Sequence, residues 1–548
     1  MIFNMKSRIL NTIFISAVVL SACARIEFEG DAPKDWIGTT VVFTPAEEEA
    51  YSTYYKPALG RVGDPMPFYD SNSGEFKILY LQEYPVNDDK RFHPIWCVTT
   101  KDGYNYESMG EIIPVGESRL QQDAALGTGC VYYNTSEKLY YLYYTGHNGL
   151  CESREVLMRA TSPDFKTWTK DNLWSLKGRD CGYSSQDFRD PQIFEDGGKF
   201  HMVVSTYRTD DQKDPRFLDF LSDNMKDWTF NGEFNMVWNR FCECPDIFKM
   251  GDWWYLVYSE AYKADFSRKV KYMKADSFEG LKKCFQDPGG NWPDEHEGIL
   301  DTRAFYAAKT ASNGKDRYIW GWCPYRTGNT YHDKNIAVGA DGEPNWSGAL
   351  VCHKLIQHSD GTLAVGVVPG METKYSQNAE LKVMDSKNYD NGRLTGDAYV
   401  LYNRLGYHNH ISFTVKLDWH GDAFSVSFVR GTEKEGDVEK EVEKEVGKYY
   451  SLRFNPEWEN GRRKVNFEQQ GKAPDAKWFI PGADGYIFPI PAENTYKIDI
   501  FTDNSVVVTY INGDYGTTQR IYGIQKNCWS INSHGGNITV SDVKVTQY

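Results

Sequence analysis

Three acidic residues each stand just before a proline and a predicted β-hairpin. Asp64 and Asp190 directly precede proline, and Glu243 stands two residues before it. In each unit an apolar run, a turn and a second strand-like run follow. Because β-scaffolds present functional side chains where strands begin, we expect these three carboxylates to occupy equivalent places and to converge on one axis. A single Asp-Pro pair is ordinarily a turn, but the change from Asp to Glu in the third unit suggests different chemical roles.

The strand pattern predicts an all-β chain with two domains. Short aromatic or β-branched runs separated by Gly, Asn and Asp turns fill the first part, where helical periodicity is nearly absent. The acid-bearing units, with comparable clusters near residues 123 and 301, give five units of propeller-blade size. We therefore predict a five-bladed β-propeller over residues 45–369 and a β-sandwich over 370–548. The Glu- and Lys-rich run 433–448 is expected to be a solvated loop, with a short helix as the alternative.

Composition limits the partners. The chain has 548 residues, 41% of them apolar, and its net charge of −15 argues against nucleic acid. An uncharged ligand such as a glycan is compatible with that charge. The high aromatic content of 15% suits either β-sheet packing or sugar stacking. We expect a monomer.

The N-terminus reads as a targeting segment. Lys6 and Arg8 precede an apolar run that ends in Leu20-Ser21-Ala22-Cys23, the layout of a signal peptide. The final four residues resemble a bacterial lipobox, so residues 1–23 are predicted to be a lipoprotein signal peptide with lipidation at Cys23. The alternative is an ordinary cleavage site beside a chance cysteine. Residues 24–44 are expected to be a tether, which would make the protein an exported lipoprotein of the cell envelope, held to a membrane through its lipid.

The remaining cysteines predict neither a metal site nor a cofactor. They are scattered without a C-x-x-C pair, and no histidine pair stands at ligand spacing beside them. Cys242 and Cys244 flank Glu243, and a disulfide between them would strain the loop that carries the acid. We expect both to be free thiols.

The ordered motifs resemble glycoside hydrolase family 32, the fructan hydrolases and invertases. Arg189-Asp190-Pro191 matches the family's RDP motif, and Glu243-Cys244-Pro245-Asp246 matches its ECPD motif. Further similar segments begin at Tyr144, Asp301, Tyr318, Trp346 and Phe501. The resemblance covers nearly the whole mature chain and implies a propeller followed by a sandwich.

The resemblance also implies site roles. Glycoside cleavage uses two carboxyl groups that flank the bond. By carry-over, Asp64 is the nucleophile, Glu243 the acid/base and Asp190 a transition-state stabiliser in a retaining hydrolysis of β-fructosides. Arg189 is expected either to hold a carboxylate or hydroxyl in the site or to form a structural salt bridge. The other candidate substrate-binding residues are Trp96, Trp320 and Trp322, which can stack on sugars or pack in the core.

The first motif departs from the family pattern. The family usually shows W-x-N-D-P-N-G around its nucleophile, whereas this chain has Gly63 and Met66 in place of the two Asn residues. Loss of these amides predicts weaker binding of sucrose or simple levan. Met66 is expected to offer the substrate an adaptable apolar surface instead.

Two other functions remain open. A related five-bladed glycosidase acting on arabinosides or xylosides would also use three acids, but with inversion. A surface glycan-binding lipoprotein that has lost catalysis would explain the altered first motif. Incubation with levan, inulin and sucrose, followed by detection of free fructose, separates these readings.

Overall fold

The computed structural model describes most of the chain beyond the leader. Its described residues are 24–27, 40–43, 49–84, 93–234, 241–261, 269–284, 297–302, 304–325, 346–430, 432–435, 438–441, 449–459, 462–470, 486–521, 524–525 and 527–548. The predicted signal peptide, with Cys23, lies outside these residues. Two segments of the predicted tether pair as antiparallel strands, β1 (Ala24–Glu27) and β2 (Thr40–Phe43).

Five four-stranded units make up the N-terminal part. The first two contain β3 (Arg61–Asp70), β4 (Glu75–Glu83), β5 (Ile95–Thr100) and β6 (Glu107–Ile113), then β7 (Ala125–Asn134), β8 (Leu139–His147), β9 (Glu155–Ser162) and β10 (Thr169–Lys170). The third contains β11 (Phe188–Asp196), β12 (Lys199–Tyr207), β13 (Pro215–Ser222) and β14 (Thr229–Phe234). The last two contain β15 (Phe241–Met250), β16 (Trp253–Ala261), β17 (Lys269–Ala275) and β18 (Glu297–Ile299), then β19 (Tyr306–Ser312), β20 (Arg317–Pro324), β21 (Gly348–Gln357) and β22 (Leu363–Gly366).

These units are the blades of a five-bladed propeller, as the sequence predicted. Within each blade, successive strands pair antiparallel. The ring closes between blades five and one, where Gly348 pairs with Val62 and the backbone of Tyr55 forms a bridge with Leu350. Among the described residues the one α-helix is α1 (Phe278–Cys284), between β17 and β18. It is too short to cross a membrane, and no other described helix qualifies.

The C-terminal part is a β-sandwich. Its strands are β23 (Gln377–Asn378), β24 (Val383–Asp390), β25 (Arg393–Tyr402), β26 (His408–Leu417), β27 (Ala423–Arg430), β28 (Thr432–Glu435), β29 (Val438–Glu441), β30 (Tyr449–Glu459), β31 (Arg462–Gln470), β32 (Tyr486–Pro489), β33 (Thr495–Asp503), β34 (Val506–Ile511), β35 (Tyr515–Arg520), β36 (Cys528–His534) and β37 (Asn537–Gln547). Short 3-10 helices lie at Gly178–Cys181, Met371–Lys374 and Ala492–Asn494. Strands β28 and β29 form a hairpin, so the expectation of a loop or helix over 433–448 was wrong where the structure describes it.

An apolar core continues from the propeller into the sandwich. It contains buried residues of blades one, four and five, such as Ile78, Val257 and Ile319, together with Phe501 and Tyr510 of the sandwich. A second core fills the space between the strands of the sandwich. The two domains therefore share buried apolar contacts that fix the propeller against the sandwich.

Every inner strand of the propeller carries a β-bulge at the same level. The register with the second strand shifts at 63/66, 127/129, 189/192, 243/246 and 306/309. A bulge bends the strand and re-aims its side chains, and it leaves a residue without a ladder partner, where proline costs no hydrogen bond. This explains the repeated proline: Pro65, Pro191 and Pro245 all occupy unpaired bulge positions.

Candidate active site

The three predicted carboxylates lie at the bulges of inner strands in blades one, three and four. Asp64 and Asp190 each occupy the first unpaired bulge position, but that position in blade four belongs to Cys244, and Glu243 stands one residue earlier. The expectation of equivalent places was therefore wrong for Glu243, whose register equivalent in blade three is Arg189.

Asp64 is held by donors from two other blades. Trp322 Nε1 donates to Asp64 Oδ1 at 2.9 Å, and Thr128 Oγ1 donates to Asp64 Oδ2 at 2.6 Å. Trp322 is only 1% exposed. A ring so buried cannot stack on a sugar, so that predicted role was wrong. Its indole N–H instead fixes the orientation of the Asp64 carboxylate.

Glu243 is also held by two donors. Arg189 Nη2 donates to Oε1 at 2.9 Å, and the Tyr306 hydroxyl donates to Oε2 at 2.8 Å. Its side chain remains 22% exposed, so the carboxyl group can still meet a ligand. Blades three and five thus position the acid of blade four.

Arg189 links several carboxylates through its planar fork. Its Nη1 lies 2.9 Å from both Glu155 Oε2 and Asp187 Oδ1, and its guanidinium stacks over the Phe241 ring at 4.4 Å. Burial opposes the charge of Arg189, but Glu155 and Glu243 raise its pKa well above the ordinary value. Burial likewise opposes ionisation of Glu155, yet Arg189 and His147 lower its pKa to about 2. The pair is a fixed charged support beside the site.

Asp190 lies deepest of the three acids. Its backbone adopts a positive φ of 60°, its amide donates to Thr145 Oγ1 at 3.1 Å, and its Oδ2 accepts from the backbone N–H of Cys244 at 2.8 Å. Burial raises the pKa of Asp190 to about 7, although the charge of Arg189 lowers it. The charges of Glu243 and Asp64 add to the rise. The charges of the other two carboxylates are therefore felt at Asp190, which places the three in one electrostatic site.

The cysteines beside Glu243 are buried and form no disulfide, as expected. Burial raises the pKa of the Cys244 thiol well above its ordinary value, with Asp190 and Asp64 contributing. A thiol in that state is a poor nucleophile. Cys244 acts at this site through its backbone.

Two of the predicted sugar-stacking residues lie away from the carboxylates. Trp320 has no exposed surface and donates from Nε1 to the Tyr106 hydroxyl at 3.2 Å, so its predicted contact with substrate was wrong. Trp96 is partly buried against the same propeller core, on the third strand of blade one. Both are packing residues, in keeping with the alternative that the sequence left open.

The altered first motif has a steric explanation. A Cβ on Gly63 would lie 2.4 Å from the Trp346 ring, so the ring occupies the space that a side chain would need. Trp346 also stacks on His93, with ring centroids 4.6 Å apart. Met66 is 1% exposed and its sulfur accepts from the Gly129 amide at 3.1 Å, so the expected apolar surface for substrate was wrong.

Sequence reasoning missed several residues of the site. Thr128, Thr145, Tyr306 and Trp346 all contact the carboxylates or the residues beside them. Thr128 and Tyr306 lie at the bulges of blades two and five. The repeat predicted those strand clusters, but without an acid or a proline to mark the level of the bulge. Within the described residues no cluster of His, Cys, Asp and Glu is arranged to hold a metal ion.

Comparison with known proteins places this geometry in a family. A model of the glycosyl hydrolases family 32 N-terminal domain matches residues 55–365, and one described as "GH32, BT1760-like, C-terminal domain" matches residues 361–545. A sucrose-6-phosphate hydrolase of Zymomonas mobilis is 29% identical over 227 residues, which cover 37% of this chain and 41% of the relative. One from Escherichia coli is 24% identical, covering 70% of this chain and 71% of the relative.

Solved structures share the fold. Sucrose-6-phosphate hydrolase from Lactobacillus gasseri has a TM-score of 0.65 at 16% identity, with 91% of this chain and 92% of that chain covered. Exo-inulinase from Aspergillus awamori has a TM-score of 0.64 at 14% identity, covering 91% and 98%. Because the two family models together span residues 55–545, the chain belongs to glycoside hydrolase family 32.

Proposed function

We propose that the protein hydrolyses β-fructosidic bonds by a retaining double displacement, with Asp64 as nucleophile and Glu243 as acid/base. The observation on which this proposal rests is the similar hydrogen bonding of the two carboxyl groups. Each is fixed by two side-chain donors from other blades, and both interact electrostatically with Asp190. Preorganised donors of this kind hold reacting groups in place without reorganisation during the reaction.

The reaction has two steps. In the first, an Asp64 oxygen attacks the anomeric carbon of the fructosyl unit while Glu243 gives its proton to the leaving glycosidic oxygen. The bond to the leaving group breaks, and a fructosyl ester on Asp64 forms. In the second, Glu243 takes a proton from water, the water oxygen attacks the same carbon, and the ester bond to Asp64 breaks. Two inversions at one carbon give net retention.

Asp190 is proposed to stabilise the transition state. Because its pKa is raised to about 7, it exists near neutral pH as a mixture of carboxylic acid and carboxylate. The acid form can donate to a sugar hydroxyl and the carboxylate form can accept from one. Thr145 accepts from its backbone amide and the Cys244 amide donates to its Oδ2, so the carboxyl group is oriented before the reaction begins.

The substrate class is proposed to be fructans or fructosides. Membership of glycoside hydrolase family 32 supports this, as do the names of the similar proteins, which include sucrose-6-phosphate hydrolases and an exo-inulinase. The first motif lacks both amides that the family usually places beside its nucleophile. We therefore expect weak activity on sucrose and a better substrate elsewhere among the fructosides.

The proposal is tested by incubation with levan, inulin and sucrose, followed by quantification of free fructose and oligosaccharides. Asp64→Asn and Glu243→Gln should each reduce turnover by at least about 10²-fold, whereas Asp252→Asn, on an exposed turn, should leave it unchanged. Binding of a fructan without release of any product would favour a non-catalytic glycan-binding protein.

The stereochemical course is tested separately by trapping the sugar with methanol. Retention gives the methyl β-fructofuranoside, because methanol replaces water in the second step. The inverted methyl glycoside, or activity confined to arabinosides or xylosides, would overturn the assignment of Asp64 as nucleophile.

We further propose that the protein is an exported lipoprotein of the cell envelope, lipidated at Cys23. The charged leader, the apolar run and Leu20-Ser21-Ala22-Cys23 support this. A lipid anchor would hold the enzyme at a membrane.

A further inference from the structure

The propeller channel contains a second cavity beyond the carboxylates. Directly after the five bulges, the first paired residues form a layer across the channel, which we call the floor layer: Met66, Gly129, Gln192, Asp246 and Lys309. Lys309 Nζ donates to the Gly129 carbonyl at 3.0 Å, and the Gly129 amide donates to the Met66 sulfur. The floor layer therefore connects blades one, two and five between the two mouths of the channel.

A cavity of about 760 Å³ lies on the side of the floor layer away from Asp64 and Glu243. This volume is within the range of small-molecule sites. The floor layer forms one end of the cavity, and later residues of all five inner strands form its walls. Aromatic side chains contribute to these walls, among them Tyr69, Tyr132, Phe248 and Trp254.

The charges around this cavity are balanced, unlike those at the catalytic mouth. Three anionic and three cationic side chains line it: Glu195, Asp196, Asp246, Lys249, Lys309 and Arg317. A ligand with a net charge would meet groups of its own sign inside the cavity. A neutral ligand that can both donate and accept hydrogen bonds would not.

Buried polar groups at the inner end have hydrogen-bonding capacity left. Gln192 is 8% exposed, and its Oε1 has no partner among the described residues. Lys309 is 3% exposed, and within the described part of the chain its ammonium, which has three donors, makes one hydrogen bond, to the Gly129 carbonyl. Arg317 stacks on Phe248 at 4.0 Å and donates to Thr310 Oγ1, which in turn bonds Asp246. Acceptors and donors thus alternate around one space.

From this arrangement we infer that the cavity is a second saccharide-binding site, distinct from the catalytic mouth, for a neutral sugar such as a fructose unit. Hydroxyl groups both donate and accept, so one sugar can bond the Lys309 and Arg317 donors and the Gln192 and Asp246 acceptors together. The aromatic walls offer apolar surface to the C–H groups of the ring.

The experiment measures the stoichiometry of D-fructose binding by calorimetry and locates the sugar in crystals soaked with it. We expect two sites in the full-length protein, one of which is lost in Arg317→Met. Lys315→Met is the matched control, since it removes a positive charge from the exposed turn of the same hairpin. Gln192→Leu provides a second variant on another blade, and circular dichroism with thermal unfolding verifies that each variant folds.

Specific outcomes would overturn the inference. One fructose per chain in the wild type, located at the carboxylates, would reject a second site. Equal binding by Arg317→Met and Lys315→Met would reject the assigned contacts, as would ordered water alone in the cavity of fructose-soaked crystals. Binding of inorganic phosphate without binding of fructose would show an anion site. Because fructose binding is measured directly, the result does not depend on turnover.

Discussion

Arg189 and Glu243 occupy the same register position on neighbouring inner strands, one residue before the unpaired bulge residues, and their side chains pair at 2.9 Å. The repeat that places an acid on blade four places its cationic partner on blade three. The guanidinium reaches Glu243 with one nitrogen and Glu155 and Asp187 with the other. A single planar group therefore fixes the angle of Glu243 relative to the propeller.

Replacing Arg189 with Lys should reduce kcat strongly with a smaller effect on KM. The single ammonium of Lys cannot satisfy three carboxylates at the positions of the fork, so Glu243 would lose its fixed orientation. We expect a fall in kcat of about 10²-fold, measured on the best fructoside substrate. Arg179→Lys, which alters an exposed Arg179–Glu152 pair, is the control. An unchanged kcat for Arg189→Lys would show that Tyr306 alone is sufficient to position Glu243.

Asp190→Asn should make folding stability less sensitive to pH. The pKa of Asp190 is raised from 3.8 to about 7 in the folded protein. The folded state therefore keeps a proton that the unfolded chain releases between these values, and wild-type stability falls as pH rises through that window. The Asn variant has no such loss. Its gain in free energy of unfolding relative to wild type should therefore be absent near pH 4 and grow to at most about 4 kcal/mol above pH 7.

Urea unfolding at pH 4, 6 and 8 measures this difference. Asp210→Asn is a control of opposite sign, because bonds from Ser184 and Ser185 outweigh burial and lower the pKa of Asp210. Its stability relative to wild type should fall as pH rises toward about 4 and change little between pH 6 and pH 8. If Asp190→Asn shifts stability by the same amount at every pH, Asp190 does not hold a proton in the folded state.

The blade count and the principal acids could be predicted from the sequence because both have strong local signals. Proline fits the unpaired residue of a bulge, so an acid one or two residues before a proline marked the level of the site on three blades. In blades two and five the first unpaired bulge residues are Thr128 and Ala307. Neither residue type indicates a bulge or a functional site. Tyr306 and Thr128 could be placed at the site only once the register of each blade was known.

The tryptophans show the limit of residue type as evidence. Trp320 and Trp322 lie two residues apart on β20, and their side chains belong to different environments. Trp322 bonds Asp64, whereas Trp320 packs with Tyr106 in the core that continues toward the sandwich. Which of the two meets the site depends on packing between blades, which local sequence does not encode. The need for glycine at position 63 similarly depends on the ring of Trp346, which lies 283 residues later in the sequence.

Gly63→Asn should reduce activity on every fructoside, although it restores an amide that the family usually has. A Cβ at this position would lie 2.4–3.0 Å from three atoms of the Trp346 ring, so the ring must move and lose its stacking on His93. The same clash should also destabilise the Gly63→Asn protein. The double variant Gly63→Asn with Trp346→Ala removes the clash and should recover part of that lost stability. Gly74→Asn, at an open turn with no atom within 4 Å of the new Cβ, is the matched control. A gain of sucrose activity in Gly63→Asn alone would show that Trp346 yields without cost.

Cys23→Ser should release the protein from membrane fractions. Lipidation requires the cysteine thiol, so the variant cannot carry the anchor that the leader predicts. Fractionation with immunoblotting measures the distribution, and mass spectrometry of the mature N-terminus detects the lipid. Ser21→Thr keeps the cysteine and should leave the distribution unchanged. A membrane-bound Cys23→Ser protein, with no lipid on either form, would reject the lipobox.

Asp503→Asn should loosen the docking of the N-terminal segment on the sandwich. Asp503 has no exposed surface, and its Oδ2 accepts from the backbone amides of Ser52, Thr53 and Tyr54 at 3.0, 2.7 and 2.9 Å. Its Oδ1 lies 2.9 Å from His408 Nδ1. This carboxylate therefore connects the start of the propeller to strand β33 of the sandwich.

An amide cannot replace this carboxylate without loss. If the Asn NH₂ group takes the position of Oδ2, it faces three backbone donors; if its oxygen takes that position, the NH₂ group faces the histidine. Bonds to a charged acceptor contribute about 1.5–3 kcal/mol each, so we expect a loss of about 3 kcal/mol or more in the free energy of unfolding. Asp514→Asn, on the exposed β34–β35 turn, is the control. Urea unfolding measures the loss, and limited proteolysis near residue 50 locates it. Equal stability of the two variants would show that shared apolar contacts alone hold this segment in place.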